Sequence, residues 1–119
     1  MNANALIASI KRHPAYDRVG MILCHNGVVR ATSRDGRNVK GLRVDVDEDR
    51  LEVVLAEYRA RPGIIDIQVE IAADKDLSVG DDVMMLVVAG DIREHVIETL
   101  TDTLNDIKST VTSKTQYFV

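Results

Sequence analysis

Two rhythms of hydrophobic and polar positions run along this chain, and the points where one gives way to the other mark its elements. Leu6, Ile7 and Ile10 recur at helical spacing behind Asn4, a residue able to cap a helix, and His13-Pro14 closes the segment. Residues 19–30, VGMILCHNGVVR, are almost all apolar, which predicts a buried strand with a bulge at Gly27. SRDGRN at 33–38 predicts a turn with Asp35-Gly36 at its tip. Beyond it Leu42, Val44 and Val46 alternate with Arg43 and Asp45, the return strand of a hairpin.

Asp47 can cap the next helix, with Glu48 and Asp49 at its positive end and Leu51, Val54, Leu55 and Tyr58 as its apolar stripe. Arg59 and Arg61 suit the opposite end, and Pro62-Gly63 stops it. IIDIQVEI at 64–71 predicts a half-buried strand, with Ile65, Ile67, Val69 and Ile71 opposite Asp66, Gln68 and Glu70. DKDLSVGD at 74–81 reads as a loop, and VMMLVVAG at 83–90 as a central strand apolar on both faces. A last helix starts at Asp91, with Glu94 placed as in a capping box, and carries Val96, Ile97, Leu100, Leu104, Ile107 and Val111 on one face. The order α-β-β-α-β-β-α predicts an α+β fold with a largely antiparallel sheet. Residues 1–112 are expected to form one domain. Residues 113–119 are expected to be a tail, whose Tyr117 and Phe118 either dock or fray.

Composition narrows the function more than the fold. The 119 residues are 45% hydrophobic and 29% charged, ordinary values for a single soluble domain. No apolar run approaches the ~20 residues that span a bilayer. The short apolar patch near the N-terminus has no basic segment before it, so no secretory signal is expected. One cysteine cannot close an internal disulfide, which suits a cytoplasmic protein. A net charge of −4 disfavours general attraction to nucleic acid or anionic lipid.

The charge is unevenly placed. Between positions 30 and 43, Arg30, Arg34, Arg37, Lys40 and Arg43 stand against one acid, Asp35, so this window carries +4 and the remainder −8. Such a segment can hold a small anion without attracting a polyanion; it can equally be a solvated strand face. Arg93 falls in line with Ile97, Leu100 and Leu104 on the last helix, where an inward charge needs a partner or an anion, and Lys108 flanks the same stripe. His13, His25, His95 and Cys24 lack zinc-site spacing, and no metal site is expected. No phosphate-binding glycine loop or dinucleotide fingerprint is present, and no cofactor is expected. Cys24 and His25 are neighbours on a strand and point to opposite faces, so Cys24 is expected to be a buried structural residue rather than a nucleophile. The residues alone thus suggest an anion pocket of Arg30, Arg93 and Lys108.

The combined pattern resembles the large, catalytic subunit of molybdopterin synthase and MoaE-like proteins. The family has a helix leading into His-Pro, a strand ending in G-x-V-R, a glycine-containing turn and a return strand. Here these are His13-Pro14, GVVR at 27–30 and GRNVKGLRV at 36–44. The family's L-x-V-G-E loop corresponds to LSVGD at 77–81, and a helix opening with a His-Arg pair and running to a Lys follows the next strand. The resemblance implies an α/β-hammerhead-like fold, a homodimer, and transfer of sulfur to a cyclic pterin monophosphate. The sulfur arrives as a thiocarboxylate on the Gly-Gly terminus of a small partner subunit.

Carried over by position, the resemblance implies anion-binding roles for Arg30 and Arg93, joined by Arg37 of the cationic window, and catalytic roles for Lys108 and Lys114. Lys114 takes the second lysine position with a one-residue slip. Ile92 stands where the family has the His of the pair, Ala72-Ala73 replaces an earlier His-Arg, and the P-[IF]-W-K segment is absent. The active site is therefore expected to have diverged, and a catalytically degenerate binding or regulatory protein on the same fold is the alternative.

Overall fold

The computed structural model describes residues 1–119. Helix α1 (Ala3–Lys11) is capped by Asn2 rather than Asn4, the Asn2 carboxamide oxygen accepting from the Asn4 N–H at 2.9 Å. Strand β1 (Met21–Val28) follows, with its register shifting between Gly27 and Val28 where the bulge was expected. Strand β2 (Val39–Val46) leads into α2 (Glu48–Arg59), which Asp47 caps by accepting from the Arg50 N–H at 3.0 Å. Leu51, Val54, Leu55 and Tyr58 of α2 are all buried, as their spacing requires. Strands β3 (Ile64–Ile71), β4 (Asp76–Ser78) and β5 (Asp82–Gly90) precede α3 (Arg93–Asp106), which widens into a π-helical turn over Ile107–Val111 before β6 (Thr112–Phe118).

The strands form two antiparallel sheets, ordered β1-β5-β3 and β4-β2-β6. The apolar β5 is central in the first. Its Met84, Leu86 and Val88 face a core built with α2, α3 and Ile67, while Met85, Val87 and Ala89 face Leu6 and Ile10 of α1. A smaller cluster of Val29, Leu42, Val44, Ala72 and Leu77 joins the two sheets. The molecule measures 48 × 25 × 23 Å. Its radius of gyration, 15.1 Å, exceeds the ~13.5 Å of a compact chain this long.

Several expectations are corrected. β1 and β2 do not pair as a hairpin: a local turn forms, bridging Thr32 and Asn38, but the flanking strands enter different sheets. Residues 76–78 are a strand rather than loop, and residues 112–118 lie along β2, Lys114 opposite Val44 and Phe118 opposite Val39. Helix α3 has no side-chain cap. Asp91 instead accepts from the Ile92 N–H at 2.7 Å and meets His95 Nδ1 at 2.7 Å. The buried face of α3 is Val96, Thr99 and Thr103, continued by Ile107 and Val111. Two threonines share that face, and Ile97 and Arg93 lie outward.

Candidate functional site

Where β1 and β2 diverge into separate sheets, their inner faces and the π-helical turn enclose a cavity of about 630 Å³. On β6 and on the connector after β1, period-two alternation decides which side chains enter it. On the connector after β1, Arg30, Thr32 and Arg34 line the cavity. On β2 the lining residues are Val39, Leu42 and Val44, and on β6 they are Thr112, Lys114 and Gln116, which pair across with Val46, Val44 and Leu42. The floor is thus apolar and the rim cationic.

Lys108 enters from the π-helical turn. Ile107 and Val111 of that turn are buried, and the Thr112 N–H bonds back to the Ile107 carbonyl, five residues earlier. This anchoring carries Lys108 over the cavity beside Arg34 and Lys114. No carboxylate lines the cavity. Asp35, the one acid of the cationic window, accepts from the Ser33 hydroxyl, and that bond foremost holds its carboxyl below the ordinary range. Lys108 is held below the ordinary lysine range by burial first, then by repulsion from Arg34 and Lys114. Four cations facing one space with no counter-charge form a site suited to an anion.

Of the residues expected from sequence, Arg30, Lys108 and Lys114 therefore meet in one cavity. Arg37 and Arg93 do not. The Arg37 guanidinium stacks on the Phe118 ring, 3.5 Å from its centroid. Arg93 opens α3, about 20 Å along the helix from Lys108. Its side chain is 78% exposed and pairs with Glu94 at 3.2 Å. Cys24, expected buried, is exposed on β1, an edge strand. Arg34 and His25 line the cavity although neither was singled out for it. Reading Arg30, Thr32 and Arg34 as one face of an extended arm would have found the first. No three His, Cys, Asp or Glu side chains come close enough together to hold a metal ion.

A family model described as MoaE protein matches residues 1–110. No curated protein matches the sequence significantly. Among solved structures, the molybdopterin cofactor biosynthesis protein E from Burkholderia multivorans is similar with a TM-score of 0.77 at 24% identity, over 100% of this chain and 84% of that one. Molybdopterin synthase from Staphylococcus aureus gives 0.73 at 17%, over 87% and 77%. A chain from the complex of subunits 1 and 2 of the molybdopterin-converting factor of Helicobacter pylori gives 0.72 at 17%, over 100% and 84%. At these identities the structures speak for the fold, the α+β arrangement expected from the order of elements. The family model extends over nearly the whole chain, and the chain belongs to the MoaE family.

Proposed function

We propose that this chain is a large-subunit component of molybdopterin synthase, transferring sulfur from the C-terminal thiocarboxylate of a small partner subunit to a cyclic pterin monophosphate. Membership of the MoaE family supports a role in molybdenum cofactor biosynthesis. The observation that carries the finer reading is the meeting of Arg30, Lys108 and Lys114, with Arg34, around one cavity without a carboxylate. Arg30 and Arg34 suit the phosphate through bidentate hydrogen bonds, and the two lysines suit the partner's carboxyl end. Lys108, with its ammonium destabilised, is the better placed to move a proton. The apolar floor of Leu42 and Val44 suits a flat ring.

The chain works in this reading as a cytoplasmic homodimer. Arg93 is fixed at the far end of α3, so it joins such a cavity only from a second copy. A degenerate binding or regulatory protein is the second reading, favoured by Ile92 and Ala72-Ala73 in place of the family's histidine and arginine residues.

Reconstitution separates the two. The chain, a thiocarboxylated small subunit and the cyclic pterin monophosphate are combined, and molybdopterin is followed as its fluorescent oxidised derivative. Product is expected, and Lys108→Ala is expected to abolish it. No product with the small subunit still co-eluting favours the degenerate reading, and no association withdraws both the activity and the partner.

A further inference from the structure

His25 is the one histidine in the cavity, and nothing in the protein uses it. It follows Met21 and Leu23 on the inner side of β1, where those two pack on the core, and it stands opposite Leu86 of β5. Two residues on, that side of the strand is empty: Gly27 has no side chain, and the imidazole leans into the space. A Cβ at Gly27 would lie 3.3 Å from His25 Nε2. The ring is half-buried, lines the cavity and makes no hydrogen bond within the protein. Every other ionisable group there, Arg30, Arg34, Lys108 and Lys114, is a cation by nature. β5 contributes only Val83 and Met84 to the lining.

We propose that His25 is a ligand-contacting residue of this cavity, hydrogen-bonding its occupant as a neutral imidazole and taking up a proton when an anion settles beside Lys108. The inference rests on the reading of the cavity as an anion site. Burial and then the Lys108 ammonium hold the His25 pKa below its ordinary value. A bound anion screens that ammonium and accepts a hydrogen bond from the ring, which favours the imidazolium. Anion binding and protonation of His25 therefore reinforce each other, and affinity rises as pH falls.

The test uses sulfate, whose charge is constant between pH 5 and 8.5. The Cε1–H signals of the three histidines are followed by NMR through that range, in sodium sulfate and in sodium chloride of equal ionic strength. Sulfate is expected to raise the His25 midpoint by about one pH unit, the low end for a contacting opposite charge. His13, just after α1, and His95, paired with Asp91, lie outside the cavity and serve as internal controls. His25→Gln is expected to weaken sulfate binding about threefold or more at pH 6 and to flatten its pH dependence. If sulfate saturably shifts the Lys108 and Arg30 signals while the His25 midpoint stays fixed, the cavity holds anions without His25 and the proposal is overturned. If no signal shifts saturably, the anion site itself falls and the proposal with it.

Discussion

Lys108 is held where its charge is unfavourable. It is brought over the cavity by the buried residues on either side of it, Ile107 and Val111, and meets only like charges there. Its folded-state pKa lies below the unfolded value, so the folded chain binds fewer protons than the unfolded one between the two. Stability therefore increases as pH rises through that window toward the ordinary lysine range, and the penalty is fully present below it. Lys108→Gln removes the penalty and keeps a side chain of similar reach. The variant is expected to lose turnover while its melting temperature stays within ~3 °C of the parent, rising rather than falling. A fall well beyond that, measured by circular dichroism at neutral pH, would make Lys108 a structural residue and explain lost turnover by misfolding. Bound anion opposes the same repulsion, so sulfate is expected to raise the melting temperature of the parent more than that of the variant.

Helix α3, just before the π-helical turn that holds Lys108, carries another unfavourable group, and it bears on how its face is read. Thr103 is fully buried and its hydroxyl has no hydrogen-bond partner. A hydroxyl buried in this way costs about 1–3 kcal/mol, and valine has nearly its shape and branching. Thr103→Val is expected to stabilise the fold by about 1 kcal/mol, a rise of roughly 4 °C in melting temperature. Unchanged or lower stability would mean that the hydroxyl is satisfied in solution. The same residue explains why this helix misleads a reader of the sequence. With Thr99 it occupies the core-facing stripe, so a count of hydrophobic letters rotates the face toward Ile97 and places Arg93 inside. In α2 no such substitution exists, and Asp47, Leu51, Val54, Leu55 and Tyr58 give cap and face correctly from local cues. The turn at 33–38 is also local and readable. That its two flanking strands part into different sheets is decided by partners far along the chain, β5 for one and β6 for the other. β6 itself, TSKTQYF, has little apolar character and is a strand because β2 offers it an edge. The cavity is legible to the same degree. The cations stand out in the sequence, but their meeting depends on the resemblance and on these long-range pairings.

At the scale of the whole molecule, the two sheets and three helices build a long body, and α3 turns part of its length outward. Ile92 and Ile97 are 49% and 48% exposed and flank Arg93 on that surface. Two large aliphatic side chains beside an arginine suit contact with a second copy, since association buries the apolar groups and leaves Arg93 free to reach across. The rigid helix separates Arg93 from the cavity of its own chain, so one contact between copies would both shield the isoleucines and give Arg93 a site to enter. Light scattering is expected to find the parent at twice the 13.2 kDa chain mass. Ile97→Glu is expected to return it to one chain mass without changing its circular dichroism, because the side chain takes little part in the core. If α3 forms the contact, the monomeric variant keeps Arg30, Arg34, Lys108 and Lys114 in place and still binds sulfate, but turns over slowly at concentrations where the parent is dimeric. A parent that is monomeric, or an Ile97→Glu variant that remains dimeric, would take this face of α3 out of the assembly and leave Arg93 outside the chemistry.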